Sequence, residues 1–265
     1  MGTTVITGGT NGIGAALAGR LARAGHRVLV VGRSPTAPAG AELVRADLST
    51  IAGTLAAATE VAARAPAVDR VVLGAGRFNR RRVLTTDGLE HTFALYPVSR
   101  YLFTDALMPH LSGGAVIVSV CGVGGLGGAG IQWYDLTLAR SYRAFGAVSQ
   151  VARASELLGA GFHDHYPASP ARYVLYNPMF VDSGLGQQVG GFAGRALDGV
   201  ARLFAQSSDD AAALIQPFLD GPSVPSVPLT ASRRGKPMSL DRPEFDRAAA
   251  ARLYRVLAEL TSSAR

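Results

Sequence analysis

The sequence predicts an α/β protein in which a single doubly wound parallel sheet is flanked by helices on both faces. Short valine-rich apolar runs recur along the chain, and most of the segments between them have the spacing of amphipathic helices. The runs are apolar almost throughout rather than alternating, which is typical of parallel strands buried on both faces. The predicted strands are 4–8, 28–32, 42–44, 70–73, 115–120 and 173–176.

The length of 265 residues favours one domain over 1–265. The stretch 184–206 is rich in glycine and then amphipathic, and we interpret it as a lid over the ligand pocket. Prolines across 217–228 predict a loop, and helical spacing over 243–260 predicts a closing helix.

Composition and charge narrow the classes of function. Apolar residues make up 48% of the chain and charged residues 17%, which allows a packed core throughout. The net charge of +7 comes from basic residues that are mostly scattered, so no nucleic-acid partner is expected. The uncharged stretch 111–134 is broken by glycines and its apolar run has the length of a strand, so no membrane span is expected.

The expected compartment is the cytoplasm. A strand pattern that begins at Thr3 is expected to leave no room for a targeting peptide, and the single cysteine, Cys121, excludes an internal disulfide. A small-molecule substrate is the expected partner, and the sequence is compatible with a homo-oligomer.

A glycine-rich turn connects the first predicted strand to the first predicted helix, which is the context that makes such a turn a dinucleotide-binding signal. Gly8 permits the tight turn, Gly12 lets the backbone approach a pyrophosphate, and Gly14 allows close packing of helix and strand. The start of the helix adds partial positive charge. The cofactor-binding residues predicted here are Thr7, Gly8, Thr10, Asn11, Gly12, Ile13 and Gly14.

The end of the second strand indicates which dinucleotide is bound. An NAD site places a carboxylate there for the ribose 2′-hydroxyl, but this sequence has Gly32, Arg33 and Ser34. Arg33 offers a forked donor that suits a 2′-phosphate, so NADP(H) is the predicted cofactor.

These motifs resemble the short-chain dehydrogenase/reductase superfamily over nearly the whole chain. The resemblance rests on the spacing TGxxxGIG and on motifs after the third and fourth strands, and it implies a Rossmann-type domain that exchanges hydride with a carbonyl or alcohol. The segments 85–111, 131–145 and 176–185 look like the retinol dehydrogenase and protochlorophyllide reductase-like branch. The resemblance adds the following predicted cofactor-binding residues: Asp47, Leu48, Gly74, Ala75, Gly76 and Pro178.

The superfamily's catalytic set is Asn, Ser, Tyr and Lys, and this sequence departs from it at all four positions. Alignment places Tyr96 at the Asn, Gly122 at the Ser, and Val148 and Ala152 at the Tyr and Lys of YxxxK. An alternative register on Tyr134 has Leu138 four residues later, so it does not restore the pair. No register can restore it, because the only lysine, Lys236, is far along the chain in a predicted loop.

The replacements change the chemistry that is expected. Hydride addition to a ketone builds negative charge on oxygen, which the family's tyrosine neutralises with a proton while the lysine lowers that tyrosine's pKa. Tyr96 precedes Pro97, which should distort its helix near the pocket, so Tyr96 is the candidate catalytic residue, with cavity filling as the alternative. Cys121 is expected to be a buried, inert thiol without a cationic neighbour.

No metal site is predicted. The run His163-Asp164-His165 has metal-binding residue types, but adjacent residues in a connection rarely converge on one ion. We interpret this run as a surface turn.

Three functions remain open. The first is an NADP(H)-dependent tailoring oxidoreductase for an imine or conjugated substrate, which needs less acid assistance than a simple ketone. The second is a non-redox cyclase, isomerase or dehydratase of secondary metabolism, with an apolar pocket and a structural nucleotide. The third is a catalytically inactive binding protein that keeps the fold.

Overall fold

The computed structural model describes residues 2–124, 130–179, 206–220 and 224–262. Within them, eight strands form one sheet in the order β3-β2-β1-β4-β5-β6-β7-β8. All neighbouring strands are parallel except β7 and β8, so the predicted fold class is confirmed. The strands are β1 (Thr3–Thr7), β2 (Arg27–Gly32), β3 (Glu42–Arg45), β4 (Val68–Leu73), β5 (Leu111–Val120), β6 (Arg172–Asn177), β7 (Leu229–Arg233) and β8 (Lys236–Met238).

Helices connect the strands and cover both faces of the sheet. They are α1 (Gly12–Arg23), α2 (Ile51–Arg64), α3 (His91–Phe93), α4 (Ser99–Leu107), α5 (Ala144–Ala160), α6 (Phe162–His165), α7 (Ser208–Ile215), α8 (Pro217–Asp220) and α9 (Arg247–Thr261). A π-helical segment, Ala94–Val98, joins α3 to α4 and contains Pro97. This segment is the helix distortion that Pro97 predicts, because proline removes a backbone donor.

The helix starts follow from local side-chain chemistry. The Thr50 side chain accepts a hydrogen bond from the Gly53 N–H and caps α2. Ser207 and Asp210 form a reciprocal capping box on α7, and Asp246 accepts hydrogen bonds from two backbone N–H groups of α9.

Three apolar clusters hold the layers together. Leu17 and Leu21 of α1 pack with Ile215 of α7 in a cluster on one face of the sheet. Val61 of α2 and Phe103 of α4 belong to the cluster on the other face. A third cluster lies among α4, α5 and α9. The described helices therefore bury the sheet on both faces, and the carboxyl ends of its strands are where such a sheet binds a ligand.

The structure differs from the sequence prediction mainly near the carboxyl end. Strands β7 and β8 were not predicted, because Leu229–Arg233 is short and half polar. The prediction of a loop around Lys236 is wrong, since this residue begins β8 at the antiparallel edge of the sheet. The predicted loop over 217–228 is wrong at its start, which is the short helix α8.

Three other segments complete the comparison. A 3-10 turn, Pro243–Phe245, and the capping residue Asp246 precede α9, so the α-helix begins later than the predicted 243–260. The predicted turn at His163-Asp164-His165 is wrong, because these residues lie in α6. The lid predicted over 184–206 lies outside the described residues except for Gln206.

Candidate active site

Strand register brings most of the predicted cofactor-binding residues to one edge of the sheet. Thr7 is paired with Val31 on β2 and with Leu73 on β4, and Gly32 is paired with Arg45 on β3. The residues that follow these strands therefore meet at the carboxyl edge, where open α/β sheets bind their ligands.

The glycine-rich turn has a backbone that side chains would disrupt. Gly8 and Gly12 adopt positive φ values of 70° and 53°. A methyl group on Gly14 would lie 2.9 Å from both the Gly8 carbonyl carbon and the Gly9 Cα. Asn11 precedes α1 without capping it through its side chain. Asn11 therefore leaves the first-turn N–H groups of α1 without a side-chain cap, and the turn packs so closely against position 14 that a side chain there has no room.

Thr7 links this turn to the end of β4. Its hydroxyl accepts hydrogen bonds from the Gly74 N–H at 3.1 Å and the Ala75 N–H at 3.3 Å. It also donates to the Val72 carbonyl at 3.4 Å. The segment Gly74–Gly76 is thereby fixed beside the glycine-rich turn.

Charged groups surround the ends of β2 and β3. Arg33 is exposed, and its carbonyl accepts a hydrogen bond from Arg45 Nε at 3.3 Å. Asp47 accepts hydrogen bonds from the Ser49 N–H at 3.0 Å and the Ser49 hydroxyl at 2.7 Å. Burial raises the pKa of Asp47, but the bonds from Ser49 and the nearby Arg33 and His91 outweigh it and lower that pKa overall. Asp47 is therefore an anion that is already partnered.

His91 adds to this cluster, although the sequence analysis did not single it out. Burial, followed by the charges of Arg33 and Arg77, lowers the pKa of its imidazole. A residue at the start of a helix has no sequence signal that would place it beside the ends of two distant strands.

Tyr96 lies against the end of β4. A methyl group on Gly76 would be 2.7 Å from Tyr96 Cζ, so the absence of a side chain at Gly76 makes room for the phenol. Burial raises the pKa of Tyr96, and the positive charge of Arg100 opposes this effect. The predicted catalytic residue is therefore a neutral phenol at the carboxyl edge of the sheet.

Arg100 of α4 is buried, with 3% of its surface exposed. Its guanidinium donates to the Ser119 hydroxyl at 2.7 Å, to the Ser155 hydroxyl at 3.3 Å and to the Val120 carbonyl at 2.7 Å. It also lies 4.7 Å from the centroid of the Tyr96 ring. Arg100 was not predicted from the sequence, although its position four residues after Tyr96 on a predicted helix indicates that the two side chains are neighbours.

Cys121, which follows β5, is buried as predicted, but a positive charge lies nearby that was not predicted. Cys121 has 6% of its surface exposed, and burial raises the pKa of its thiol to about 11. The expectation that it has no cationic neighbour is wrong, because the charge of Arg100 acts on it and opposes the rise. The cationic neighbour was hidden because α4 and β5 meet only in the folded chain.

Helix α5 contains the two residues that the sequence alignment places at the family's tyrosine and lysine. Val148 is half-buried and Ala152 has 7% of its surface exposed. These residues are one helical turn apart, so they lie on the same face. Tyr134 and Leu138, the alternative register, lie before α5, and Tyr134 is 90% exposed.

Glu156 lies one turn after Ala152 on the same face of α5, and it was not predicted from the sequence. Its carboxylate accepts a hydrogen bond from the Gly124 N–H at 2.8 Å and lies 2.9 Å from the Arg153 guanidinium. Burial raises the pKa of Glu156 despite these partners. The carboxyl holds the loop after β5 and lies two turns beyond Val148.

The raised pKa of Glu156 predicts a pH-dependent stability. The folded state holds this proton more tightly than the unfolded chain does, so the contribution to stability is present at low pH and is lost as the pH rises through the raised value. We expect the unfolding free energy of the parent to fall relative to that of Glu156→Gln as the pH rises above about 4, the ordinary pKa of a glutamate. Urea unfolding at a series of pH values measures both. Glu259→Gln, which changes an exposed carboxyl of α9, is the control for the loss of one negative charge. A constant difference between parent and Glu156→Gln would contradict the prediction.

The end of β6 completes the edge. Asn177 donates to the Val123 carbonyl at 2.8 Å, and its side-chain oxygen accepts from the Met179 N–H at 2.7 Å. The carbonyl of Pro178 accepts a hydrogen bond from Gln206 at 2.6 Å. Pro178 therefore lies at the same edge as the other predicted site residues.

Within the described ranges, no group of three His, Cys, Asp or Glu side chains is arranged so that it could hold a metal ion. None of the described helices has the length and apolar character needed to cross a membrane.

The doubly wound sheet and the glycine-rich turn at its carboxyl edge define a Rossmann-type α/β protein. A family model described as short chain dehydrogenase matches residues 2–135. This match covers half of the chain, and the chain therefore belongs to the short-chain dehydrogenase family.

One curated relative is a protein of Streptomyces sp. (strain C5), provisionally named daunorubicin C-13 ketoreductase DnrU. It is 32% identical over 129 residues, which cover 44% of this chain and 45% of that protein. The matched part therefore spans less than half of that relative's length.

Solved structures share the fold. An uncharacterized protein from Mycobacterium paratuberculosis aligns with a TM-score of 0.72 and 24% identity, over 99% of this chain and 94% of that chain. The Pseudomonas aeruginosa RhlG/NADP complex aligns with a TM-score of 0.67 and 19% identity, over 88% of this chain and 95% of that chain. The 3-ketoacyl-(acyl-carrier-protein) reductase of Brucella melitensis in complex with NADH aligns with a TM-score of 0.63 and 18% identity, over 89% of this chain and 98% of that chain.

Proposed function

We propose that this protein is an NADP(H)-dependent oxidoreductase with a non-standard active site, which reduces a small molecule whose acceptor is an imine or a conjugated carbonyl. The proposal is supported by a contrast between two parts of the molecule. The glycine-rich turn has the backbone that a pyrophosphate requires, whereas the positions of α5 aligned with the family's tyrosine and lysine are the apolar residues Val148 and Ala152.

The residues present fit a dinucleotide. The close approach of Gly14 to Gly8 leaves no space for a side chain there, and the first turn of α1 offers N–H groups to a pyrophosphate. Arg33 is exposed after β2 and would hold a 2′-phosphate, while the carboxylate of Asp47 is engaged by Ser49. The RhlG complex with NADP and the Brucella reductase complex with NADH show that proteins of this fold bind such cofactors. When bound, the reduced nicotinamide supplies a hydride.

The chain's own residues determine which acceptor can be reduced. Val148 and Ala152 can neither donate a proton nor stabilise an alkoxide, which for a simple ketone costs about 10²- to 10⁴-fold in rate. An iminium already carries the charge that hydride neutralises, and a conjugated carbonyl spreads the developing charge. Tyr96 is the phenol that this edge of the sheet offers as a substitute donor.

The provisional name of the Streptomyces relative supports carbonyl reduction as the general reaction. We further propose that the protein belongs to the retinol dehydrogenase and protochlorophyllide reductase-like branch, that it is cytoplasmic and that it forms a homo-oligomer. The tailoring role in secondary metabolism also agrees with the name of that relative.

The test is a titration of the purified protein with NADPH and NADH, followed by stopped-flow absorbance at the NADPH band with cyclic imines, conjugated enones and simple ketones. We expect tighter binding of NADPH and oxidation of NADPH with at least one of the first two classes. Simple ketones should react at least about 100-fold more slowly. If the protein takes up neither dinucleotide, the proposal is wrong, and turnover without NADPH would favour a non-redox enzyme.

A further inference from the structure

Tyr96 and Arg100 form a pair of side chains one helical turn apart. Tyr96 lies in the π-helical segment and Arg100 in the first turn of α4. The guanidinium carbon of Arg100 is 4.7 Å from the centroid of the phenol ring. A tyrosine followed four residues later by a cation is the spacing that α5 lacks, and here it lies on a different helix.

The charge of Arg100 has no anionic partner among the described residues. Its hydrogen bonds go to two hydroxyl groups and one carbonyl, all neutral, and its Nε atom is buried without a partner. None of the ion pairs within the described ranges includes it. A buried guanidinium in neutral surroundings strongly favours the appearance of a negative charge beside it.

Among the described residues, the charge of Arg100 acts on the pKa of three acidic groups: Tyr96, Cys121 after β5 and Tyr173 of β6. Cys121 and Tyr173 are 6% and 2% exposed, so a substrate cannot reach them. Tyr96 is only partly buried, and its phenol lies against the exposed Gly76 at the carboxyl edge of the sheet. It is therefore the group that can both exchange a proton with a substrate and feel the guanidinium.

We propose that Arg100 is a positioning residue that stabilises the phenolate of Tyr96 after this residue has given its proton to a neutral conjugated carbonyl substrate. This inference rests on the proposed function and narrows it. An uncompensated guanidinium beside the site repels an iminium, whereas it stabilises the negative charge that hydride addition builds on a neutral acceptor.

A bound reduced nicotinamide would supply a hydride, with both electrons, to the conjugated carbon of the substrate and would itself be oxidised. The resulting enolate takes a proton from the Tyr96 hydroxyl, whose O–H electron pair stays on oxygen as the phenolate. The phenolate is then protonated again from solvent. Burial keeps Tyr96 protonated before the step, and Arg100 stabilises what remains afterwards.

The first experiment measures the pair without any substrate. A fluorinated tyrosine of lower intrinsic pKa is placed at position 96 by amber suppression and titrated by ¹⁹F NMR. In Arg100→Gln, which removes the charge but can still hydrogen-bond to Ser119, the midpoint should rise by about one pH unit or more. Arg100→Lys should restore the parent midpoint. Ser119→Ala is the matched control, because it removes a hydrogen bond of Arg100 and keeps the charge. If Arg100 has a merely structural role, the Tyr96 midpoint should change in Ser119→Ala; our proposal predicts no change in that midpoint.

The main comparison in the second experiment uses the unmodified protein, so it does not depend on whether a variant folds. NADPH oxidation is compared for a neutral cyclic enone and an iminium of matched ring size. We expect kcat/KM to favour the enone by about tenfold or more, in keeping with one charge–charge interaction near a partly buried site. Arg100→Gln should reduce or reverse this preference.

The outcomes separate this inference from the proposed function. An unchanged Tyr96 midpoint in Arg100→Gln, or a preference for the iminium in the parent, overturns the role of Arg100 while leaving NADPH-dependent reduction in place. If NADPH is oxidised with neither acceptor, the proposed function fails, and a Tyr96 midpoint that follows the charge at position 100 would still establish the electrostatic pair.

Discussion

Replacing Gly14 with alanine is expected to weaken NADPH binding by about 100-fold, equivalent to about 2.7 kcal/mol, and to destabilise the protein by roughly 1–3 kcal/mol. The new methyl group would lie 2.9 Å from the Gly8 carbonyl carbon and the Gly9 Cα, which are backbone atoms that cannot move aside without opening the turn. Fluorescence titration with NADPH and urea unfolding measure the two effects.

Gly19→Ala is the matched control for this experiment, because it makes the same change on the same helix. A methyl group there meets nothing closer than the Arg23 guanidinium at 3.4 Å. Since alanine is favoured over glycine inside a helix, this variant should gain up to about 1 kcal/mol of stability and keep its affinity for NADPH. Equal affinities of Gly14→Ala and Gly19→Ala would refute the assignment of the turn as the pyrophosphate site.

Replacing Arg33 with aspartate is expected to weaken NADPH binding by about 10- to 100-fold and to leave NADH binding unchanged or tighter. The change removes the forked donor proposed for the 2′-phosphate and supplies a carboxylate that suits a 2′-hydroxyl. The size of the effect corresponds to one charge-assisted hydrogen-bond pair, about 1.5–3 kcal/mol. Isothermal titration with both dinucleotides gives the ratio of affinities.

Arg255→Asp is the control for net charge, because this exposed arginine of α9 is replaced with the same change of two charges. It should leave the NADPH-to-NADH ratio as in the parent. If Arg33→Asp binds NADPH as tightly as the parent does, Arg33 does not select the cofactor, and Arg45 or Arg77 becomes the next residue to change.

The sequence allowed the location of the candidate site to be predicted, but it did not reveal the buried charged residues that surround the site. The glycine-rich turn is local: Gly8, Gly12 and Gly14 lie within seven residues, so their spacing already implies the turn that the structure has. Arg100 and Glu156 could not be identified in this way. Each is a charged residue within an apolar helix, and only burial against β5 or the loop after it distinguishes such a residue from a solvated one.

Tyr96 lies between these cases. Pro97 marked a distortion of its helix from the sequence, and the structure has a π-helical segment there. The contact with Gly76 depends on a residue at the end of another strand. Burial raises the pKa of Tyr96 and the charge of Arg100 opposes that rise, and both effects depend on the folded structure.

The sequence by itself determined the alternation of strands and helices, the doubly wound sheet and the glycine-rich turn, and it places no lysine in α5. These features depend on apolar periodicity and on the conformational freedom of glycine, which act over a few neighbouring residues. Only the tertiary structure decided that β7 and β8 extend the sheet and that Lys236 belongs to its edge. It also decided that the guanidinium of Arg100 lies over the ring of Tyr96, with no ion pair to any residue that the structure describes. Electrostatic interactions depend on distance and burial in three dimensions, and the sequence contains neither until the elements have packed.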